Sequence, residues 1–140
     1  MVFKFLDHTA DIGIFVESFD FKSALEESIK ALILLIFGEL IENDIYEVNN
    51  GTVEIQSNDK ESLLVDFLNE ILFLIDSKKI IPLKLEILEI CNNGLKAKYL
   101  AYPINYAKNP IRLYVKAVTF HQLEIEEKEN QTTIKFFVDI

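Results

Sequence analysis

Residues 134–140, Ile134-Lys135-Phe136-Phe137-Val138-Asp139-Ile140, decide how this chain is read. Ile134, Phe136, Val138 and Ile140 fall on one side of a period-two pattern and Asp139 on the other, as in a strand with one buried face. Chain ends ordinarily fray, so an apolar face that persists to the last residue implies a strand tied into a sheet. Upstream, Glu126 to Gln131 makes a charged turn. Val115 to Ile125 has the pattern of a strand, with Val115, Ala117, Thr119, His121, Leu123 and Ile125 on one face. Pro103 and Asn109-Pro110 bound a loop of turn formers. Leu83 to Ile87 alternates and slips phase at Leu88, as at a bulge, and Asn92-Asn93-Gly94 is the tight turn into a returning strand, Leu95 to Leu100.

The first half alternates strands with helices. Phe3 and Phe5 open a short strand ending at Leu6-Asp7-His8. Ile12, Ile14 and Val16 then alternate against Asp11, Gly13 and Glu17, which places Asp11 on the face opposite its apolar neighbours. Ser23 and Glu26 have capping-box spacing ahead of a helical stripe of Leu25, Ile29, Leu32, Ile33 and Ile36, with Gly38 as its stop. Asn49-Asn50-Gly51 is a turn signal before a strand at Thr52 to Gln56. Asn58 or Asp59 can cap a second helix striped by Leu64, Phe67, Leu68, Ile71, Leu72 and Ile75, with Asp66, Asn69, Glu70 and Asp76 mostly off the stripe. The order ββαβαββββ predicts an α+β class, two helices packed on a largely antiparallel or mixed β-sheet, in one domain over residues 1–140.

Composition narrows the function. With 140 residues, half of them apolar, the chain can bury roughly 68% of its unfolded surface without disulfides or metal. Its 14 basic against 23 acidic residues leave a formal charge of −9, the wrong sign for gripping a phosphate backbone. Four glycines offer no phosphate-cradling loop, and no apolar run approaches the ~20 residues that span a bilayer. Without a signal peptide the expected location is cytoplasmic. The lone cysteine, Cys91, is expected to be a small buried hydrophobe.

Asp7-His8-Thr9-Ala10-Asp11 is the densest polar cluster. Its carboxylates and imidazole can bind a metal or do acid–base work, and the same residue types also serve as ordinary turn and capping residues. His121 reads as a hydrogen-bonded core or rim histidine and Lys116 as a solvated strand lysine. Glu124, Glu126, Glu127 and Glu129 solvate a hairpin. Asp139, followed by the carbonyl and carboxylate of Ile140, gathers hard oxygens at one place, and Asp11 could complete a Ca²⁺- or Mg²⁺-type shell. Sequence spacing alone does not bring Asp11 to Asp139.

Taken together, Asp7-His-Thr-Ala-Asp-Ile12, Leu64-Val-Asp-Phe-Leu-Asn-Glu-Ile71, Val115-Lys-Ala-Val-Thr-Phe-His121 and the terminal Val138-Asp-Ile140 resemble the archease family, in order and over nearly the whole chain. The resemblance implies an α+β fold and a non-catalytic protein cofactor. Its partner would be an RtcB-type RNA ligase of tRNA splicing, an enzyme that uses GTP, a divalent metal and a guanylylated histidine of its own. Such a cofactor would promote ligase guanylylation and multiple turnover, and would meet RNA only through the ligase. The resemblance also implies a bound metal, Ca²⁺ with Mg²⁺ or another divalent ion as alternatives, held by Asp11, Asp139 and Ile140. Asp7, His8, Lys116 and His121 stand as supporting or partner-contact residues. The chain departs from the family at Ala101-Tyr102-Pro103-Ile104-Asn105, where many members carry a Gly-Glu-Pro-like stretch with Asp and His further on, and has Phe67 where many carry Trp. Two other functions fit the residues: a metal-dependent hydrolase using Asp7, His8 and Asp11, and a general chaperone or binding module.

Overall fold

The computed structural model describes residues 2–7, 11–40 and 49–140, and of Leu6 and Asp7 only the backbone. Its elements are β1 (Val2–Asp7), β2 (Asp11–Ser18), α1 (Phe21–Phe37), β3 (Asn49–Gln56), α2 (Lys60–Asp76), β4 (Ile80–Cys91), β5 (Gly94–Pro103), β6 (Ala117–Lys128) and β7 (Gln131–Asp139), the expected ββαβαββββ order.

Helix α1 starts earlier than its Ser23–Glu26 spacing suggests. Asp20 is the cap: its carboxylate accepts the Ser23 N–H at 2.8 Å, and the Ser23 hydroxyl accepts the Asp20 N–H at 3.2 Å. Beginning there brings Phe21 into the core, and it frees Glu26 to accept the Ile87 N–H of β4 at 3.4 Å. Gly38 closes α1 with φ +71°, a conformation that favours glycine. In α2, Asp59 accepts the Ser62 N–H at 2.8 Å, and the buried set includes Leu63, Val65 and Leu74 beyond the expected stripe.

The stripe is broad because each helix serves two sheets. Sheet A has the order β1-β2-β7-β6 and sheet B the order β3-β5-β4, and the pairings within each are antiparallel. Both edges of β2 are taken, by β1 and by β7, so β3 cannot join it and founds the second sheet with the β4–β5 hairpin. α1 packs on β2 and β7 of sheet A and on β4 of sheet B; α2 packs on β6 and on β3 and β4. One apolar cluster, including Ile14, Leu32, Phe67, Ile71, Ile87 and Phe136, joins all these elements.

Several local expectations are corrected. Asn49-Asn50-Gly51 lies inside β3, where Gly51 faces Tyr99; a Cβ at Gly51 would stand 2.1 Å from the Tyr99 ring, so the glycine admits an aromatic side chain rather than making a turn. The slip at Leu88 is a register shift between Ile87 and Glu89, and a second shift lies between Pro82 and Lys84. Cys91 is exposed beside the Asn92-Asn93 turn, with Asn93 Oδ1 3.2 Å from its sulfur, because the hairpin ends beyond the core. The charged turn shrinks to Glu129-Asn130, since β6 runs on to Lys128 opposite Gln131. Nor does β6 keep one apolar face: its pairing shifts between Thr119 and Glu124, with Gln122 at φ +51°. Val118 is therefore buried while His121 is exposed.

Candidate functional site

β7 is an interior strand, with β2 on one side and β6 on the other, which explains why its apolar face runs to the end of the element. This placement sets Asp139 directly opposite Asp11 in the β2–β7 register and opposite Ala117 in the β6–β7 register. Directly opposed residues of an antiparallel pair have Cα atoms about 4.5–5.5 Å apart. Like charges directly opposite one another on an antiparallel pair are unfavourable neighbours. Ile140 follows by one residue, outside the strand and exposed, so the buried apolar face ends at Val138 and does not reach the last residue as expected. Lys116 enters β6 alongside: its N–H donates to the Asp139 carbonyl at 2.8 Å, and its side chain is exposed.

His121 reaches the neighbourhood by another route. The bulge turns its ring edge-on to Phe137, with centroids 5.8 Å apart and planes at 64°. Phe137 sits two residues before Asp139, opposite Gly13 and Thr119, and is 1% exposed although it lies on the face away from the helices. The His121 edge and the Lys135 ammonium, 5.9 Å from the ring centroid, contribute to that cover. Asn69 is a participant that helical periodicity placed off the apolar stripe of α2. Its Oδ1 accepts the Val118 N–H at 2.8 Å and its Nδ2 donates to the Val118 carbonyl at 3.0 Å, one residue from the Ala117–Asp139 pair. Its sequence signals were an asparagine within a helical Leu-Asn-Glu run and its place in the Leu64–Ile71 stretch that carries the family resemblance.

The fold thus brings Asp11, Asp139, Ile140 and Lys116 together, with His121 one aromatic ring away. The Asp7 backbone pairs with Ile12, while the Asp7 side chain and all of His8 lie outside the described residues. Among the described residues no group of three His, Cys, Asp or Glu side chains is arranged to hold a metal. Asp11 and Asp139 are carboxylates set opposite each other, and hard oxygen donors of that kind have the chemistry that suits Ca²⁺ or Mg²⁺. Two open grooves lie elsewhere, on sheet B, one beside Thr52, Glu86 and Lys98 and the other beside Glu54, Glu89 and Lys96. Among the described residues no helix is long and apolar enough to cross a membrane.

The architecture and the chain itself match known proteins. The solution structure of Methanobacterium thermoautotrophicum protein 1598 aligns with a TM-score of 0.69 and 29% identity, over 99% of this chain and 98% of that one. The crystal structure of a Thermotoga maritima archease, described as a possible chaperone, has the same fold at a TM-score of 0.63 and 22% identity, over 96% and 94% of the two chains. Protein archease of Sulfolobus acidocaldarius is 32% identical over 141 aligned residues, 99% of this chain and 98% of the relative. The model of the archease protein family matches residues 3–140, and the chain belongs to that family.

Proposed function

We propose that this protein activates an RtcB-type RNA ligase of tRNA splicing, in the cytoplasm, promoting ligase guanylylation and repeated turnover without catalysing a reaction itself. The observation that carries the reading is the Asp11–Asp139 opposition across β2 and β7, with Ile140 next in line. Two neighbouring interior strands set like charges face to face, an arrangement unfavourable by itself that a cation received by their oxygens would relieve. Asp11, Asp139 and the Ile140 carboxylate would hold Ca²⁺ or a similar divalent ion. Bound there, the ion supplies positive charge for phosphate oxygens or for a ligase metal site.

The protein's own groups do the rest. Strands β2 and β6 hold Asp139 in register, and the exposed Lys116 side chain offers a second positive charge beside it. The formal charge of −9 keeps the surface from competing for RNA and complements a ligase channel built to receive RNA. RNA is met only through the ligase. The direct test is a guanylylation and multiple-turnover ligation assay with the cognate ligase, with and without this protein. Stimulation that disappears in Asp139→Ala is expected; no stimulation across divalent metals would remove the reading.

A second reading, a general chaperone, draws on the description of the Thermotoga maritima protein and on exposed aromatics here, Phe19, Phe73, Phe120 and Tyr114. It predicts metal-independent binding to many unrelated unfolded clients. The hydrolase built on Asp7, His8 and Asp11 predicts phosphoester hydrolysis by the purified protein alone.

A further inference from the structure

We infer that Asn69 of α2 is a positioning residue for the carboxylate site at the end of β7, acting through the backbone of Val118. The inference rests on the functional reading above in one respect, that Asp11 and Asp139 are the groups whose placement matters.

β6 is an edge strand of sheet A, so the outward-facing peptide groups along it have no neighbouring strand to meet them. At Val118 both the N–H and the C=O are taken by the single amide of Asn69, at 2.8 and 3.0 Å. One planar amide thereby does what a fifth strand would do for one residue. Only an amide side chain carries a donor and an acceptor at the required spacing. A carboxylate would set an oxygen against the Val118 carbonyl, and an aliphatic side chain would leave both peptide groups unsatisfied.

The point of attachment gives the bond its consequence. Val118 pairs with Val138, and the residue before it, Ala117, pairs with Asp139; one step further back the Lys116 N–H holds the Asp139 carbonyl at 2.8 Å. Beyond Thr119 the strand leaves register until Glu124, with Gln122 in the left-handed region, so β6 supplies no continuous ladder on that side. The segment from Lys116 to Thr119 is thus a short run of pairing between a loop and a bulge, and Asn69 ties its backbone to the helix layer, beside the burial of the Val118 side chain. α2 is anchored independently by buried Leu68, Ile71 and Leu72, each within three residues of Asn69. The chain of contact runs from the core through α2, Asn69, Val118 and Ala117 to Asp139, the last residue of its strand, whose end would otherwise fray.

The test uses full-length Asn69→Leu, with Asn69→Asp as the second variant should the first fold poorly. Backbone amide exchange and NMR order parameters are read at Lys116, Ala117, Asp139 and Ile140 and compared with sheet B. Tb³⁺ luminescence is titrated alongside as a probe for a hard-cation site. The expected result is selective loss of protection at Lys116 and of order at Asp139, with sheet B unchanged, and about a 10–100-fold loss of Tb³⁺ affinity in protein that remains folded. Unchanged exchange and order at Lys116 and Asp139 in both folded variants overturns the inference, as does loss spread evenly through both sheets. If the parent protein binds no Tb³⁺ while Asn69→Leu still loosens Lys116 and Asp139, the positioning role stands and the metal reading falls.

Discussion

Sheet B and the end of sheet A differ in the charges that they set opposite one another, although elsewhere in sheet A Glu124 faces Lys135. In sheet B, Glu54 and Glu89 both face Lys96, and Glu86 faces Lys98 with its carboxylate 3.6 Å from the ammonium. At the end of sheet A, Asp11 faces Asp139. Opposite charges at such positions contribute roughly 0.2–1 kcal/mol each, and like charges subtract a comparable amount. Sheet B is therefore arranged for stability on its solvent side, while the end of sheet A gives up stability where oxygen donors gather. A local violation of a pairing rule inside an otherwise consistent fold is where function is expected.

The largest perturbation falls on both sheets at once. Phe67 is fully buried in α2, which packs on both, so Phe67→Ala is expected to lower stability by about 3–5 kcal/mol. Urea unfolding followed by amide exchange should show the two sheets losing protection together. A sheet that melts alone would break the picture of one shared core.

Asp139→Asn separates stability from activity. Removing one of the opposed charges should raise the stability of the metal-free protein by roughly 0.2–1 kcal/mol while abolishing stimulation of ligase turnover. A variant that is both less stable and fully stimulatory would show that the pair is structural. Glu86→Lys is the mirror experiment in sheet B. Opposing Lys98 with a second lysine should cost under about 1 kcal/mol at this exposed position, and ligase stimulation should stay at the parent level.

Acid titration gives the smallest effect. The Ser23 hydroxyl and then the Ser23 N–H hold the Asp20 carboxylate below its ordinary pKa, against some opposing burial and with help from Lys22. The Ser62 N–H and then its side chain do the same for Asp59. Both groups contribute stability that is complete above the unfolded carboxylate value of about 3.9 and is lost as pH falls through their lower folded values. Asp76 runs the other way: burial raises its pKa, opposed by Lys79, so lowering the pH through that raised value relieves a penalty. Asp20→Asn should flatten the acid limb of a thermal-unfolding profile against pH, whereas an unchanged limb would mean that the cap does not govern it.

Much of this was legible in the residues. Period-two runs located the strands and a helical stripe located each helix, because burial of one face imposes its spacing on the sequence. Errors arose where a local signal had two physical causes. Asn49-Asn50-Gly51 looks like a turn, yet Gly51 is small so that Tyr99 can cover it. Ser23 and Glu26 have capping spacing, but burying Phe21 moves the cap to Asp20. His121 fits an apolar alternation that a bulge interrupts, and nothing local announces the left-handed Gln122.

The sequence by itself determined the α+β order, the amphipathic faces, the acidic charge and the candidate carboxylates, because each depends on residues near one another in the chain. Only the tertiary structure decided that β7 runs between β2 and β6, which sets Asp139 opposite Asp11 across more than a hundred residues of chain. It also decided that Asn69 meets Val118. Strand pairing is a competition among all edges of the sheet. Its outcome depends on how two helices bury their faces against two sheets, which no single stretch of sequence encodes.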